Sequence, residues 1–220
     1  MATKREKLEQ REAAILDAAR EVFTSVGYEK GRIAEIARKA GVAEGTIYLY
    51  YKTKQDLVRA VINAYWSDLT KRARDTVDTS LPFFAQLEQF ARFHMTSFHE
   101  DIDYIDLNLA MRVQHLGFVA PVDMIRGYVR VFDEMFARAL DRGEITSAAS
   151  PWVARDLFFG TLEHSSRSVF LDPGKSAEDC IANLMTVFRA TYGGGGEAKH
   201  GALDDAITRL EAAVAQLKTL

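Results

Sequence analysis

Apolar residues recur at every third or fourth position along most of the chain, which is the spacing of an amphipathic α-helix. The first such stripe lies in residues 12–26, and Gly27 after it predicts the end of that helix. A shorter stripe predicts a helix over residues 33–40, which Gly41 interrupts, and another short helix follows around residues 44–50. The chain therefore begins with three helices, the last two of which are short and joined by a tight turn.

The rest of the chain continues the same pattern in longer helices. One is predicted from Gln55 onward, with apolar positions that continue through Leu69. Others are predicted at residues 83–99, 103–116, 121–142, 151–171 and 177–192. Proline and glycine separate these segments, and no segment shows the alternation of a β-strand. The predicted fold class is all-α, with a small unit at residues 1–54 and a larger helical unit at residues 55–192.

The end of the chain has a different composition. Residues 193–202 are rich in glycine and are predicted to form a flexible linker. Residues 203–220 then place apolar residues alternately four and three positions apart, at Leu203, Ile207, Leu210, Val214 and Leu217. About two heptads are too few for a stable free coiled coil, so we expect this amphipathic helix to dock on its own body or to pair within a dimer.

Composition and charge narrow the class of protein. The 220 residues suffice for two units, and 48% hydrophobic with 27% charged residues is typical of a soluble globular chain. No apolar run reaches the ~20 residues of a membrane span, and the charged first residues do not resemble a signal peptide, which predicts a cytoplasmic protein. Cys180 is the single cysteine, so it cannot form an internal disulfide and fits a packing role. The net charge is -3, and residues 1–57 are modestly more basic than the rest of the chain, because basic residues outnumber acidic ones only there.

Residues 31–50 meet the physical requirements of a helix-turn-helix. Gly41 lies at the sharp turn between the two short helices, and Val42 and Ile47 are placed to lock them together. Hydroxyl and cationic groups cluster around the second helix and can donate to phosphates and base edges. They belong to Arg32, Lys39, Thr46, Tyr48, Tyr50, Lys52 and Lys54.

The segment IAEIARKAGVAEGTIYLYYKTKQDLV, with FTSVGYEK before it, resembles the DNA-binding signature of the TetR family of bacterial regulators over roughly residues 12–60. The resemblance implies DNA contacts by Gly45, Thr46, Tyr48, Leu49, Tyr50 and Lys54, and the nearby cations Arg32, Lys39 and Lys52 complete the set of candidate DNA-binding residues. Within this set Gly45 would let the second helix approach the DNA backbone, Leu49 would meet a thymine methyl, and Lys54 would hold a phosphate. Tyr51 is expected to pack inside the protein.

The same resemblance implies a ligand cavity between the helices of the larger unit, and a four-helix dimer interface formed by residues 151–171 and 177–192 with their twofold mates. Candidate pocket residues are aromatic residues and one methionine, namely Phe90, Phe93, Met111, Phe118, Tyr128, Phe132 and Phe159. Candidate interface residues are Leu157, Phe158, Leu162, Leu184, Val187 and Phe188. Apolar residues at helical spacing fit plain core equally well, so both sets leave that alternative open.

Two segments, VAEGTIYLYYKTKQDL and FFGTLEHSSRSVFL, are similar to the branch of the TetR family that senses fatty acyl-CoA. Such an effector needs a long apolar tunnel and cations for its phosphates. The candidate cations are Arg112, Arg126, Arg130 and Arg167, which fit a solvated surface as well. His94 and His99 are five positions apart and do not share a helix face, so we predict no metal site.

The leading interpretation is a transcriptional repressor that binds double-stranded operator DNA as a homodimer and is released by a hydrophobic small-molecule effector, with fatty acyl-CoA as a candidate. The operator should be palindromic, because two recognition helices related by a twofold axis read two half-sites. The alternative is a non-enzymatic protein-binding or architectural module that acts through the helix at residues 203–220. Neither an enzyme nor a cofactor is predicted, because no GxGxxG, P-loop, HExxH or GxSxG pattern is present.

Overall fold

The computed structural model of the protein describes residues 3–102, 104, 107, 122–146 and 150–193. Its helices are α1 (Lys4–Lys30), α2 (Ile33–Ala40), α3 (Glu44–Tyr50), α4 (Lys54–Thr76), α5 (Phe83–Glu100), α6 (Val122–Asp141), α7 (Pro151–Leu171) and α8 (Ala177–Tyr192). Within the described residues, extended backbone pairs only at an isolated bridge between Ile145 and Gly193. The all-α fold is thereby confirmed. Most of the predicted helix 103–116, the linker beyond residue 193 and the helix 203–220 lie outside the described residues.

The first helix is longer than its apolar stripe predicts. α1 begins at Lys4 because Thr3 and Glu6 form a capping box, in which each side chain accepts a hydrogen bond from the other residue's backbone N–H. Residues 3–13 are exposed, so this part of the helix has no apolar period to detect. At the other end Gly27 has a φ of 80° and breaks the helix as predicted, although one further turn continues to Lys30.

Two glycines allow the first three helices to pack closely. Gly41 ends α2 with a φ of 67°, a left-handed conformation that glycine adopts without steric cost. Gly31 lies beside the ring of Phe23, where a Cβ atom would come within 2.7 Å of a ring carbon. Any larger residue at position 31 would push α2 away from the end of α1.

Two hydrophobic clusters organise the described residues. The head cluster joins α1, α2 and α3 to the first half of α4, where Leu57 and Ile62 are among the buried residues. The body cluster joins the second half of α4 to α5, α6, α7 and α8. Tyr65 and Trp66 of α4 pack against both clusters. The predicted boundary after residue 54 therefore falls inside the head cluster, which includes α4 as far as Ile62.

Polar contacts connect helices of the body across long stretches of sequence. Arg74 of α4 donates two hydrogen bonds to the carboxylate of Glu134 on α6, at 2.7 and 2.9 Å.

Cys180 is partly buried against the body cluster, in agreement with the predicted packing role. No helix in the described ranges is long and apolar enough to cross a lipid bilayer.

Candidate functional site

The outer face of α3 carries side chains that the head cluster does not enclose. Ile47 is only 1% exposed and holds α3 against the head, whereas Tyr48 is 47% and Leu49 is 84% exposed. Val42, in the turn before α3, is partly buried against the same cluster, so both predicted clamps pack as expected. With its inner face fixed in this way, α3 presents Tyr48 and Leu49 to the outside, and Thr46 is half-buried beside them.

Gly45 on α3 has no structural explanation within the head. It lies in a helix, its φ is not positive, and a Cβ atom added there would meet nothing within 4 Å. Alanine is a better helix former than glycine, by up to about 1 kcal/mol in a helix interior, and Gly45 lies in the first turn of α3, so the fold alone gives no reason for a glycine there. The absence of a side chain therefore points to close contact with something outside the protomer.

The cationic side chains near α3 differ in their availability. Arg32 precedes α2 and Lys52 follows α3; both are exposed, and neither has an ion-pair partner within the described residues. Lys39 forms a salt bridge with Glu21 of α1. Arg32 and Lys52 are therefore the cations most available to an anionic partner.

Lys54 is positioned by contacts within the head. Its ammonium donates a hydrogen bond to the backbone carbonyl of Glu29 at 3.0 Å, and it lies 4.5 Å from the centre of the Tyr28 ring. The cation over the ring and the hydrogen bond together join the start of α4 to the end of α1. A phosphate at this point would meet an ammonium that is already held in place.

The two tyrosines at the end of α3 are both directed inward. Tyr51 is 9% exposed, and its hydroxyl donates to Glu12 at 3.0 Å, so its expected packing role is confirmed. Burial and the neighbouring carboxylate of Glu12 raise the pKa of Tyr51. Tyr50 is also among the expected DNA contacts, and its hydroxyl is buried without a hydrogen-bond partner among the described residues, which argues against that role. The head cluster holds the Tyr50 side chain on the inner side of α3.

A cavity of about 260 Å³ lies in the body between α4, α5, α6 and α7. Two of the predicted pocket residues, Tyr128 and Phe159, line it. The lining residues that the sequence pattern missed include Tyr65, Trp66 and His94. Tyr65 and Trp66 share the apolar stripe of α4, so their spacing alone gives no sign that they face a cavity rather than solid core.

Three of the other predicted pocket residues lie in the part of the chain that the structure describes, and none of the three lines the cavity. Phe90 and Phe132 are 0% exposed and belong to the body cluster, which is the core alternative that the sequence left open. Phe93 is partly buried against that cluster and is absent from the cavity wall. Met111 and Phe118 lie outside the described residues. Aromatic residues at helical spacing fit both roles, and for Phe90 and Phe132 the role is core.

Charged side chains of α7 form one part of the cavity wall. Arg155 lies there and forms salt bridges with Asp133, at 3.2 Å, and with Asp156. Arg167, one of the predicted cations, also lines the cavity and is exposed. Arg126 and Arg130 are exposed on α6 but do not line it, and Arg112 lies outside the described residues.

His94 of α5 is a partly buried polar residue in a largely apolar wall. Its Nδ1 atom lies 3.0 Å from the hydroxyl of Tyr128, while its Nε2 atom is buried without a partner in the part of the chain that the structure describes. Burial lowers the pKa of His94 to about 4. The imidazole is therefore neutral at physiological pH, and the described residues contain no group of three or more His, Cys, Asp or Glu that could hold a metal ion.

The lowered pKa of His94 predicts a pH-dependent stability. Below about pH 6.5 the unfolded chain gains a proton at this site, whereas the folded chain does not until about pH 4. Acidification through this window should therefore reduce the free energy of unfolding, by at most ~1.4 kcal/mol per pH unit from this group. His94→Gln should remove that part of the slope when urea unfolding is measured near pH 7 and near pH 5.

The matched control is His99→Gln, because His99 is exposed. It should leave the dependence of the free energy of unfolding on pH as it is in wild type. Other groups that line the same cavity are Arg155, Asp156, Glu163 and Arg167 of α7 and the tyrosines of α4 and α6. These groups are present in both wild type and variant, so a difference in pH dependence between the two proteins is attributed to residue 94. An equal slope for His94→Gln and wild type would contradict a buried neutral imidazole.

Exposed apolar side chains cover the outer face of α7 and α8. Of the predicted interface residues, only Leu157 and Val187 are on this face, with 36% and 46% exposure. The other four are at most 3% exposed within the body cluster, which is the core alternative that the sequence left open: Phe158, Leu162, Leu184 and Phe188. Other exposed residues of α7 extend the apolar surface, and they are Trp152, Val153, Phe170 and Leu171.

The sequence and the fold are similar to those of known regulators. The family described as bacterial regulatory proteins, tetR family, matches residues 15–61. The fatty acid metabolism regulator protein of Bacillus subtilis is 28% identical over 153 residues, 69% of this chain and 79% of that protein. The HTH-type transcriptional repressor BepR of Brucella suis is 30% identical over 166 residues, 69% of this chain and 75% of that protein. The crystal structure of the transcriptional regulator FadR from Bacillus subtilis in complex with stearoyl-CoA has a TM-score of 0.66 at 22% identity, covering 79% of this chain and 97% of that chain.

The matched segment ends within α4, close to the last buried residue that α4 contributes to the head cluster. The head is thus the helix-turn-helix unit of a transcriptional regulator, and the helical body is the remainder of the same architecture. The chain belongs to the TetR family of bacterial regulatory proteins.

Proposed function

We propose that the protein is a dimeric repressor that binds a palindromic operator through α3 and releases it when a hydrophobic effector occupies the body cavity. The observation that carries the proposal is the placement of α4. Its first half is buried in the head cluster and its second half supplies Tyr65, Trp66 and Leu69 to the cavity wall. One continuous helix therefore contacts both the DNA-binding head and the effector site.

The DNA contacts follow from what α3 exposes. Tyr48 offers a hydroxyl and a ring to base edges, and Leu49 offers an apolar tip to a thymine methyl. Arg32, Lys52 and the anchored Lys54 are suited to phosphates, with Thr46 as a further hydroxyl donor and Lys39 available if its salt bridge opens. Tyr50 is not retained as a contact, because its hydroxyl is buried.

Substitution of Gly45 should change protein stability and DNA affinity in opposite directions. Gly45→Ala should raise the free energy of unfolding by about 0.5–1 kcal/mol, because alanine is the better helix former. The added methyl should weaken DNA binding by about tenfold, which corresponds to ~1.4 kcal/mol of lost contact. Urea unfolding measures the first effect, and fluorescence anisotropy with a duplex selected by the wild-type protein measures the second.

Gly127→Ala is the matched control for Gly45→Ala. Gly127 also lies in a helix, α6, and a Cβ there would meet only Thr70, at an ordinary 3.6 Å. This variant should gain stability and bind the selected duplex as wild type does. If Gly45→Ala also bound DNA normally, α3 would not approach DNA at this position.

The dimer would place two α3 helices on successive half-sites. A single recognition helix reads only a few base pairs, whereas a twofold pair reads a palindrome. The exposed apolar face of α7 and α8, which includes Leu157 and Val187, is a suitable interface because it would otherwise leave several large apolar side chains in water.

We expect the head to have a DNA-binding state and a released state. The effector would bind the released state more tightly and so shift the population toward it. Tyr65 stacks on Tyr104 at 4.1 Å between ring centres, and the Tyr104 hydroxyl donates to the backbone carbonyl of Val61. Tyr65 and Tyr104 also line the cavity. A ligand that displaces this pair would therefore disturb α4 at the point where it enters the head cluster.

Fatty acyl-CoA is the effector class that we propose. The support is the apolar lining of the cavity, the exposed Arg167 at its α7 side, and the stearoyl-CoA in complex with the similar FadR of Bacillus subtilis. The acyl chain would lie among the apolar side chains, and the phosphates would meet exposed cations.

The test is fluorescence anisotropy with a duplex that the protein selects from random sequence and a scrambled duplex of the same composition, with and without palmitoyl-CoA. Selective binding that palmitoyl-CoA reverses would support the whole proposal. Selective binding that does not respond would overturn the effector class alone. Absence of any selective binding would overturn the repressor and favour the protein-binding alternative through residues 203–220.

A further inference from the structure

Two nitrogen atoms in the cavity region lack hydrogen-bond partners. Nε1 of Trp66 on α4 and Nε2 of His94 on α5 are buried, and no described residue accepts from or donates to either of them. Both residues line the same cavity. A buried polar atom without a partner is costly in free energy, so the pair indicates that something else bonds there.

The two side chains share a neighbour in the cavity wall. The ring centres of Trp66 and His94 lie 5.8 and 5.9 Å from that of Tyr128. The lining residues Leu69 and Phe159 are apolar. The two unpartnered nitrogen atoms therefore belong to side chains that pack around the same tyrosine.

The hydrogen bond between Tyr128 and His94 indicates whether the unpartnered nitrogen of His94 donates or accepts. The Tyr128 hydroxyl lies 3.0 Å from Nδ1 of His94 and has no other partner among the described residues. If Tyr128 donates to Nδ1, its hydroxyl hydrogen is satisfied, and the neutral imidazole carries its own hydrogen on Nε2. The opposite tautomer would leave the buried hydroxyl hydrogen without an acceptor. Nε2 of His94 and Nε1 of Trp66 are therefore both donors.

We propose that Trp66 and His94 recognise an uncharged carbonyl oxygen of the effector, which accepts hydrogen bonds from these two N–H groups inside the cavity. The inference rests on the proposed function, since it takes the cavity to be the effector site. A carbonyl suits the site because the imidazole is neutral and because Arg155, a cation of α7 in the same cavity wall, is engaged with Asp133 and Asp156. In an acyl-CoA the thioester supplies such an oxygen.

The test compares palmitoyl-CoA with S-hexadecyl-CoA, a thioether that keeps the chain and the CoA but lacks the carbonyl oxygen. The protein contains two tryptophans, so Trp152→Phe leaves Trp66 as the only tryptophan fluorophore and serves as the reference protein. Trp152 is 57% exposed on the apolar face of α7 that we propose as the dimer interface, and phenylalanine keeps an apolar aromatic side chain there. In this protein we expect palmitoyl-CoA to bind at least about tenfold more tightly than the thioether and to shift the Trp66 emission, because two donors lose their acceptor in the thioether complex.

The variants Trp66→Phe and His94→Met remove one donor each and keep an apolar side chain of similar size. Each should reduce the preference for the thioester, measured by calorimetry, while binding of the thioether changes little. Unchanged melting temperature is required, and the two variants lie on different helices, so one can stand in for the other if it does not fold.

Equal affinity of the reference protein for thioester and thioether would overturn the carbonyl assignment and leave the repressor and its effector class intact. The same conclusion follows if Trp66→Phe and His94→Met keep the full preference. Binding of neither ligand would also overturn it, and selective binding to DNA in that case would still support the repressor.

Discussion

Replacing Tyr48 with alanine should lower the affinity for the selected duplex by about 100-fold or more while the fold and the dimer persist. The magnitude follows because a dimer loses the contact twice, and one good base contact is worth about 1–3 kcal/mol. Tyr48 is 47% exposed and its loss opens no cavity in the head cluster, so the melting temperature should change little. Fluorescence anisotropy at a fixed salt concentration measures the affinity, and circular dichroism checks the helicity.

Two controls separate the possible causes of that loss. Tyr48→Phe keeps the ring and removes the hydroxyl, so it shows which of the two the operator contacts. Lys71→Ala removes an exposed charge from α4 far along the chain from α3, and it should leave the affinity within about twofold. Normal DNA binding by a folded Tyr48→Ala variant would contradict the assignment of α3 as the recognition helix.

A combined Leu157→Glu and Val187→Glu substitution should convert the dimer to a monomer. Both side chains are exposed in the protomer, so the carboxylates remain solvated there and the fold should survive. In the dimer four carboxylates would be buried without partners, at several kcal/mol for each unpaired charge. Sedimentation equilibrium should report the mass of one chain, and affinity for the palindromic duplex should fall by about 100-fold or more because one head reads only one half-site.

Leu8→Glu provides the comparison for this pair. Leu8 is 46% exposed on α1, outside the α7 and α8 face, so the charge should leave the dimer unchanged. A dimer that tolerated the carboxylates at both 157 and 187 would mean that these helices do not meet their mates through this face. Loss of helicity would instead show that the side chains contribute to the protomer fold.

The fold was largely predictable because it depends on a repeated local pattern. The predicted segments 83–99, 121–142, 151–171 and 177–192 each agree with an observed helix to within a residue or two at either end. Proline and glycine at the boundaries indicated where each helix begins and ends. The exposed beginning of α1 was not predicted. It has no apolar stripe, so its capping residues are the only indication of a helix there.

The candidate site was less predictable, because spacing along a helix does not say what covers each face. Leu157 and Phe158 are neighbours with the same apolar character, yet one is exposed and the other is completely buried. Tyr48 and Tyr50 likewise differ only in which side of α3 they occupy. His94 could be excluded as a metal ligand by its spacing, but its partner Tyr128 is 34 residues away, and only the folded chain brings the two together.

The sharing of α4 between the two clusters matters for the construction of hybrid regulators. A chimera that joined this head to a foreign sensor after residue 54 would discard Leu57 and Ile62 from the head cluster and leave a hydrophobic gap. A junction between Ile62 and Tyr65 would retain these residues. The foreign body would then have to supply a substitute for the hydrogen bond that Tyr104 makes to Val61, because that contact also stabilises the head from outside its own segment.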